Sequence, residues 1–172
     1  MDGLLQVIDL IYKLKDLKRT GWVRAGVPDP ESVADHSFGV ALLAALLPAP
    51  KFVDKSVAIR IALYHDLAEA IIGDIVWESH GVKNLEQKLE KDRLEKDAID
   101  KINNLYQSDF AELATEYLEQ KSPESKWIKQ LDKLDMGLQA KFYGNLAEFI
   151  TSAQNKLSNQ QLQGILEAYR PD

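Results

Sequence analysis

Apolar residues recur at intervals of three and four along most of this chain, the spacing of one helix face, and no series of short alternating segments interrupts them. Leu4, Leu5, Ile8, Ile11, Tyr12 and Leu14 carry the pattern at the start. Basic residues follow from Lys13 to Arg19, where positive charge suits a helix C-terminus. Gly21, Gly26, Pro28 and Pro30 then predict a loop of about ten residues.

A second helix is predicted from Ser32 to Leu47. Ser32-Val33-Ala34-Asp35 has the form of a capping box with a short acid, and Pro48 and Pro50 stop the helix. A third begins near Asp54, passes through Ile59, Ala62, Leu63 and Leu67, and ends at Gly73. Residues 74–84 read as a loop. Leu85 to Asn104 reads as a charged helix, its charges a solvated face with i,i+4 pairs. Further helices are expected over 108–120, 123–143, 145–156 and 159–169. There is no internal repeat, low-complexity stretch or linker. The expected class is all-α, a helical bundle in a single domain over residues 1–172.

Composition narrows the partners. With 172 residues, 45% of them hydrophobic, the chain can bury a real core. A net charge of −6 argues against a nucleic-acid polymer or an anionic membrane as partner. A small anionic substrate stays open, because a metal ion or local cations can outweigh the overall balance. The absence of cysteine excludes disulfides, thiolate chemistry and Cys-based zinc sites. Met-Asp-Gly-Leu-Leu-Gln lacks the basic start of a signal peptide. The run Phe38 to Leu47 is about half the length of a membrane span. A cytoplasmic protein is expected.

The chain has only three histidines: His36, His65 and His80. His65 is followed by Asp66 on an otherwise apolar helix face. An ionised carboxylate there is costly without a partner, and a divalent cation would satisfy both side chains. Glu69 falls one turn later on the same side, and Asp74, just past Gly73, can fold back towards them. Taken alone, His65-Asp66 is equally an ordinary helix pair. It is not the zinc-protease motif, which needs two histidines four apart. His36 alone reads as a capping or core residue. Asp132 lies beside the apolar stripe of Leu131, Leu134 and Leu138 and needs a partner. Asp135 falls off that edge and reads as solvated.

Together, His36, His65-Asp66 and Asp132 resemble the H…HD…D signature of the HD-domain metal-dependent phosphohydrolases. The motifs spread over about residues 19–138. Lys18-Arg19-Thr20-Gly21-Trp22-Val23, Pro30 to His36, His65-Asp66-Leu67-Ala68-Glu69 through Gly73-Asp74-Ile75, and Lys129-Gln130-Leu131-Asp132 narrow the likeness. They are similar to the branch that holds the HD domain-containing protein 2 type and the bacterial YfbR-type 5′-deoxynucleotidases.

That resemblance implies a single HD domain, its C-terminal helices completing the bundle. It implies that His36, His65, Asp66 and Asp132 bind one divalent metal ion, cobalt or manganese, and that Glu69 and Asp74 are catalytic. Trp22 would favour deoxyribose over ribose. The bacterial members carry an arginine directly before that tryptophan, where this chain has Gly21, so Arg19 is the expected phosphate ligand and Arg24 the other candidate. Trp22 also reads as a hydrophobic plug. Asp74 would contact the sugar or serve the departing oxygen. HD proteins with two metals recruit extra histidines before the last aspartate. Only His80 lies there, and it reads as a surface loop residue.

The expected activity is removal of the 5′-phosphate from deoxyribonucleoside monophosphates by a metal-activated water, in a homodimer whose contact could use the C-terminal helices. The alternatives are an HD hydrolase of a triphosphate, cyclic nucleotide or guanosine polyphosphate, and a metal-stabilised helical module without turnover. A di-iron oxygenase would need more histidines.

Overall fold

The computed structural model describes residues 1–76 and 85–171. His80 and most of the loop predicted over 74–84 lie outside the described residues. The described chain is all-α: α1 Asp2–Asp16, α2 Thr20–Arg24, α3 Val33–Leu46, α4 Lys55–Tyr64, α5 Glu69–Ile72, α6 Leu85–Leu105, α7 Phe110–Glu119, α8 Pro123–Phe142, α9 Ala147–Lys156 and α10 Gln160–Ala168. No helix among the described residues is long and apolar enough to cross a membrane.

Local chemistry starts several of these helices. At α3, Ser32 Oγ accepts from the Asp35 backbone N–H while Asp35 Oδ2 accepts from the Ser32 N–H, a complete capping box. Asp54 caps α4 by accepting from the Ser56 and Val57 N–H groups. Ser122 caps α8, with Pro123 at its first position.

Two predicted boundaries change. The expected loop after Arg19 contains the short helix α2. An antiparallel bridge between Lys18 and Ser32 pins the ends of that segment, and Arg19 N donates to Glu31 O at 3.1 Å. The helix expected to run from Asp54 to Gly73 stops at Tyr64. Beyond His65 the backbone tightens to i→i−3 bonds: Leu67 N to Tyr64 O, Glu69 N to Asp66 O and Ala70 N to Leu67 O. At about three residues per turn, positions 66 and 69 eclipse one another, so the tightening stacks Asp66 and Glu69 on one side. Gly73 ends α5 at φ +80, a conformation that a side chain would strain.

The apolar residues form two clusters. One gathers Trp22, Val40, Ile61, Ala62, Ile128, Leu131, Leu134, Leu162 and Leu166. The other gathers Leu10, Leu14, Val33, Leu67, Ala98, Ile99, Ile102 and Phe110. Each fully buried Leu or Ile contributes roughly 1.5–3 kcal/mol of transfer free energy. His36 lies between Val33 of the second cluster and Val40 of the first. His65 and Asp66 lie between Ala62 of the first and Leu67 of the second. The polar residues therefore sit where the two apolar clusters meet.

Candidate metal centre

The end of α4, the first turn of α3 and the middle of α8 bring His65, His36 and Asp132 together. One ligand atom from each lies within 4.8 Å of the others, and all three residues are buried. His36 Nε2 is 3.5 Å from Asp132 Oδ1 and 3.8 Å from Asp66 Oδ2, and His65 Nε2 is 3.2 Å from Asp66 Oδ2. Two imidazole nitrogens and two carboxylates thus face a common point.

The remaining valences of His65, His36 and Asp132 are already committed. His65 Nδ1 lies 2.7 Å from the Ala62 carbonyl. A carbonyl can only accept, so Nδ1 carries a proton and, in the neutral ring, Nε2 is the nitrogen left with a lone pair. That buried Nε2 makes no hydrogen bond within the protein. His36 Nδ1 donates to Asp135 Oδ2 at 2.7 Å, which turns Nε2 towards Asp66 and Asp132. Asp132 Oδ2 accepts from Tyr117 Oη at 2.8 Å and pairs with Lys133 and Lys129 at 3.0 and 3.2 Å, leaving Oδ1 for the centre. The Ala62 carbonyl, Asp135 and Tyr117 are outer partners of the kind that orient metal-binding imidazoles and carboxylates. Glu31, His36 and Asp135 form a second acidic group, but it supports the first: His36 Nδ1 is bound to Asp135, and Glu31 Oε1 accepts the Trp22 indole N–H at 2.8 Å.

Electrostatics fit a cation. Burial and Arg19 act to lower the His36 pKa, yet hydrogen bonds to Asp132 and Asp135 outweigh them and push it up to about 9. Burial acts to raise Asp132, but Lys133, Lys129 and His36 hold it well below the usual carboxylate range. Asp66 is held low by His65, His36 and Arg19 against its burial. Glu69 goes the other way: burial, then the charges of Asp66 and Asp74, raise it well above an ordinary glutamate. Its Oε2 is buried without a hydrogen-bond partner. A divalent ion answers the orphaned His65 nitrogen and the acidic cluster together.

His65, Asp66, Glu69 and Asp132 open onto a cleft of about 840 Å³. Its described walls carry Arg19, Lys88, Lys91, Lys129, Lys133 and Lys156 against Asp66, Glu69, Asp74, Asp92, Glu95 and Asp132. Among the described residues the formal charges cancel. A divalent cation would add positive charge there, which complements a phosphomonoester dianion.

The other residues expected from the sequence also reach this cleft. Arg19 lines it with a buried Nη1 that has no hydrogen-bond partner. Asp74 Oδ2 accepts the Thr20 N–H at 2.6 Å, and Thr20 Oγ1 donates to the Asp74 carbonyl at 2.7 Å, so the chain after Gly73 is tied to α2. Trp22 is 1% exposed and belongs to the core while also lining the cleft. Arg24, the other arginine considered, instead donates to the Val76 carbonyl and does not line the cleft.

Asp135 corrects the sequence reading: it is a histidine partner rather than a solvated acid. Gly39 makes room for it, since a Cβ there would lie 2.5 Å from Asp135 Oδ1. Its position three residues after Asp132, on the same side of α8, was the available signal. Nothing in the sequence marked Tyr117, which reaches Asp132 from α7.

An HD-domain family model matches residues 11–169. The human protein named 5′-deoxynucleotidase HDDC2 is 38% identical over 98% of this chain and 86% of its own length. The Danio rerio protein of the same name is 37% identical over the same shares. Among solved structures, the PH0347 protein of Pyrococcus horikoshii has a TM-score of 0.76 and 37% identity, covering 95% of this chain and 96% of that one.

Proposed function

The chain belongs to the HD-domain family, and on that premise we propose that it is a metal-dependent 5′-deoxynucleotidase, releasing phosphate from deoxyribonucleoside 5′-monophosphates. The relatives' shared name supports the substrate class. The observation that carries the reading is the convergence of His36, His65 and Asp132, their outer valences tied off, with Asp66 close to both imidazoles, beside a buried Glu69 oxygen with no partner. A structural metal site has no use for that last group.

His36, His65, Asp66 and Asp132 would hold one divalent ion, manganese or cobalt. When bound, that ion polarises a phosphoryl oxygen and lowers the pKa of an adjacent water. Glu69 takes the proton of the attacking water, and its raised proton affinity suits that task. Arg19 offers the N–H groups of its unpartnered Nη1 to the phosphate as negative charge develops. Asp74, held in place by Thr20, serves the sugar or the departing 5′ oxygen. Trp22 walls the sugar end of the cleft.

A cytoplasmic homodimer remains part of this reading. Exposed apolar side chains gather on α1 (Leu5, Ile8, Tyr12) and α3 (Phe38, Leu42, Leu46), whereas Phe142 stands out on the C-terminal helices. These exposed side chains support a contact through α1 and α3 beside the one expected from the C-terminal helices.

The test is phosphate release from paired deoxy- and ribonucleoside monophosphates with manganese, cobalt or magnesium. Preferential release from the deoxynucleotides supports the assignment. Equal turnover of both sugars, or turnover confined to triphosphates or cyclic nucleotides, contradicts it.

A further inference from the structure

We propose that Lys133 and Lys129, acting with Arg19, form the seat of the substrate's phosphate group. This rests on the phosphohydrolase reading above and adds two cationic residues to it.

The first observation is an excess of donors at one oxygen. Tyr117 Oη, Lys133 Nζ and Lys129 Nζ all converge on Asp132 Oδ2, at 2.8, 3.0 and 3.2 Å. One carboxylate oxygen offers two lone pairs, and each ammonium carries three N–H donors. Two positive charges thus face a single negative one, and Asp132 also turns its other oxygen towards the metal centre. Once a divalent ion shares that carboxylate, the lysines carry uncompensated charge on the wall of a cleft. An anion in the cleft relieves that imbalance.

The second observation is independent. Arg19 Nη1 is buried in the same cleft with no hydrogen-bond partner. A guanidinium nitrogen withdrawn from water and left unpaired is costly unless a ligand satisfies it. Arginine and lysine together suit a phosphate monoester, whose terminal oxygens accept several charge-assisted bonds.

The geometry also fixes one of the lysines. Lys129 Nζ donates to Tyr117 Oη at 2.9 Å and stands 4.6 Å from the centre of the Tyr117 ring. Lys133 is the less exposed of the two, at 18% against 42%.

A competing role for the lysines is purely structural: they would only keep Asp132 ionised for the metal. Calorimetry separates the two. Manganese-loaded wild type, Lys133→Met, Lys129→Met and Lys133→Arg are titrated with inorganic phosphate, and each metal-stripped protein is titrated with manganese. KM and kcat are measured for deoxyadenosine monophosphate alongside. Phosphate affinity should fall about tenfold or more in Lys133→Met, with a matching rise in KM and a smaller change in kcat, and Lys133→Arg should recover most of it. Manganese affinity should hold within about twofold. Unchanged phosphate affinity in both methionine variants, or a loss that only tracks weaker manganese binding, overturns the proposal. If the wild type hydrolyses no nucleotide but binds phosphate through Lys133, the deoxynucleotidase reading fails and the phosphate seat stands.

Discussion

Asp135 Oδ2 accepts the Nδ1 proton of His36 at 2.7 Å, and this one bond decides which ring nitrogen of His36 faces the metal centre. Without it the imidazole could turn or change tautomer. Asp135→Ala should weaken manganese binding by about 10–100-fold, the usual cost of losing an outer partner of a metal ligand. Activity should return when manganese is raised to saturation. An unchanged manganese titration in this variant would show that the bond has no role in orienting His36.

Gly39 tests the same bond from the other side. A Cβ at this position would meet Asp135 Oδ1 at 2.5 Å. Gly39→Ala should displace the carboxylate and weaken the metal, although alanine suits a helix better than glycine by up to about 1 kcal/mol. The expected signature is a melting temperature close to wild type in the metal-free protein and a weaker manganese isotherm. Equal metal affinity would place Asp135 elsewhere in solution.

Glu69 should matter for turnover and little for binding. Glu69→Gln keeps the shape and removes the base, so kcat should drop by about 10²–10⁴-fold. Metal content, measured by atomic absorption, should stay the same. Glu69→Ala should abolish turnover with metal retained. A fully active Glu69→Ala protein would remove the proposed base from the mechanism.

His36 couples metal binding to pH. In the metal-free protein its pKa is pushed up to about 9, so at neutral pH the ring holds a proton that the metal must displace. Apparent manganese affinity should therefore rise by up to about tenfold per pH unit from pH 7 and level off above pH 9. The same shift stabilises the metal-free fold. That contribution is complete below the unfolded histidine pKa of about 6.5 and disappears as pH rises through 9. A metal affinity flat across this range would contradict the neutral-ring requirement.

Much of this architecture was legible in the chain, because caps and periods are local. The Ser32–Asp35 box and the Asp54 cap each depend on residues three apart or fewer, and both form as the pattern implies. Helix α2 was not legible. Five residues are too few to show a period, and its segment is held by distant partners, Asp74 for Thr20 and Glu31 for Arg19. The change to i→i−3 bonds after His65 was hidden for a related reason. It accompanies the packing of His65 and Leu67 against different neighbours, while the apolar spacing alone fits an uninterrupted helix. At the site, the four proposed ligands were marked by residue type and motif. Tyr117 and Lys133 were not, since their roles come from contacts with Asp132 that only the folded chain creates, and Asp135 was signalled only by its spacing from Asp132.

The central claim is one catalytic metal held by His36, His65, Asp66 and Asp132. The most direct measurement strips the protein with a chelator, adds manganese in fractions of an equivalent, and follows phosphate release from deoxyadenosine monophosphate. Activity should be absent in the stripped protein, rise linearly, and level off at about one ion per chain, while His65→Ala and Asp132→Asn stay inactive throughout. Full activity in the stripped protein, or a plateau reached only at two ions per chain, would contradict this account.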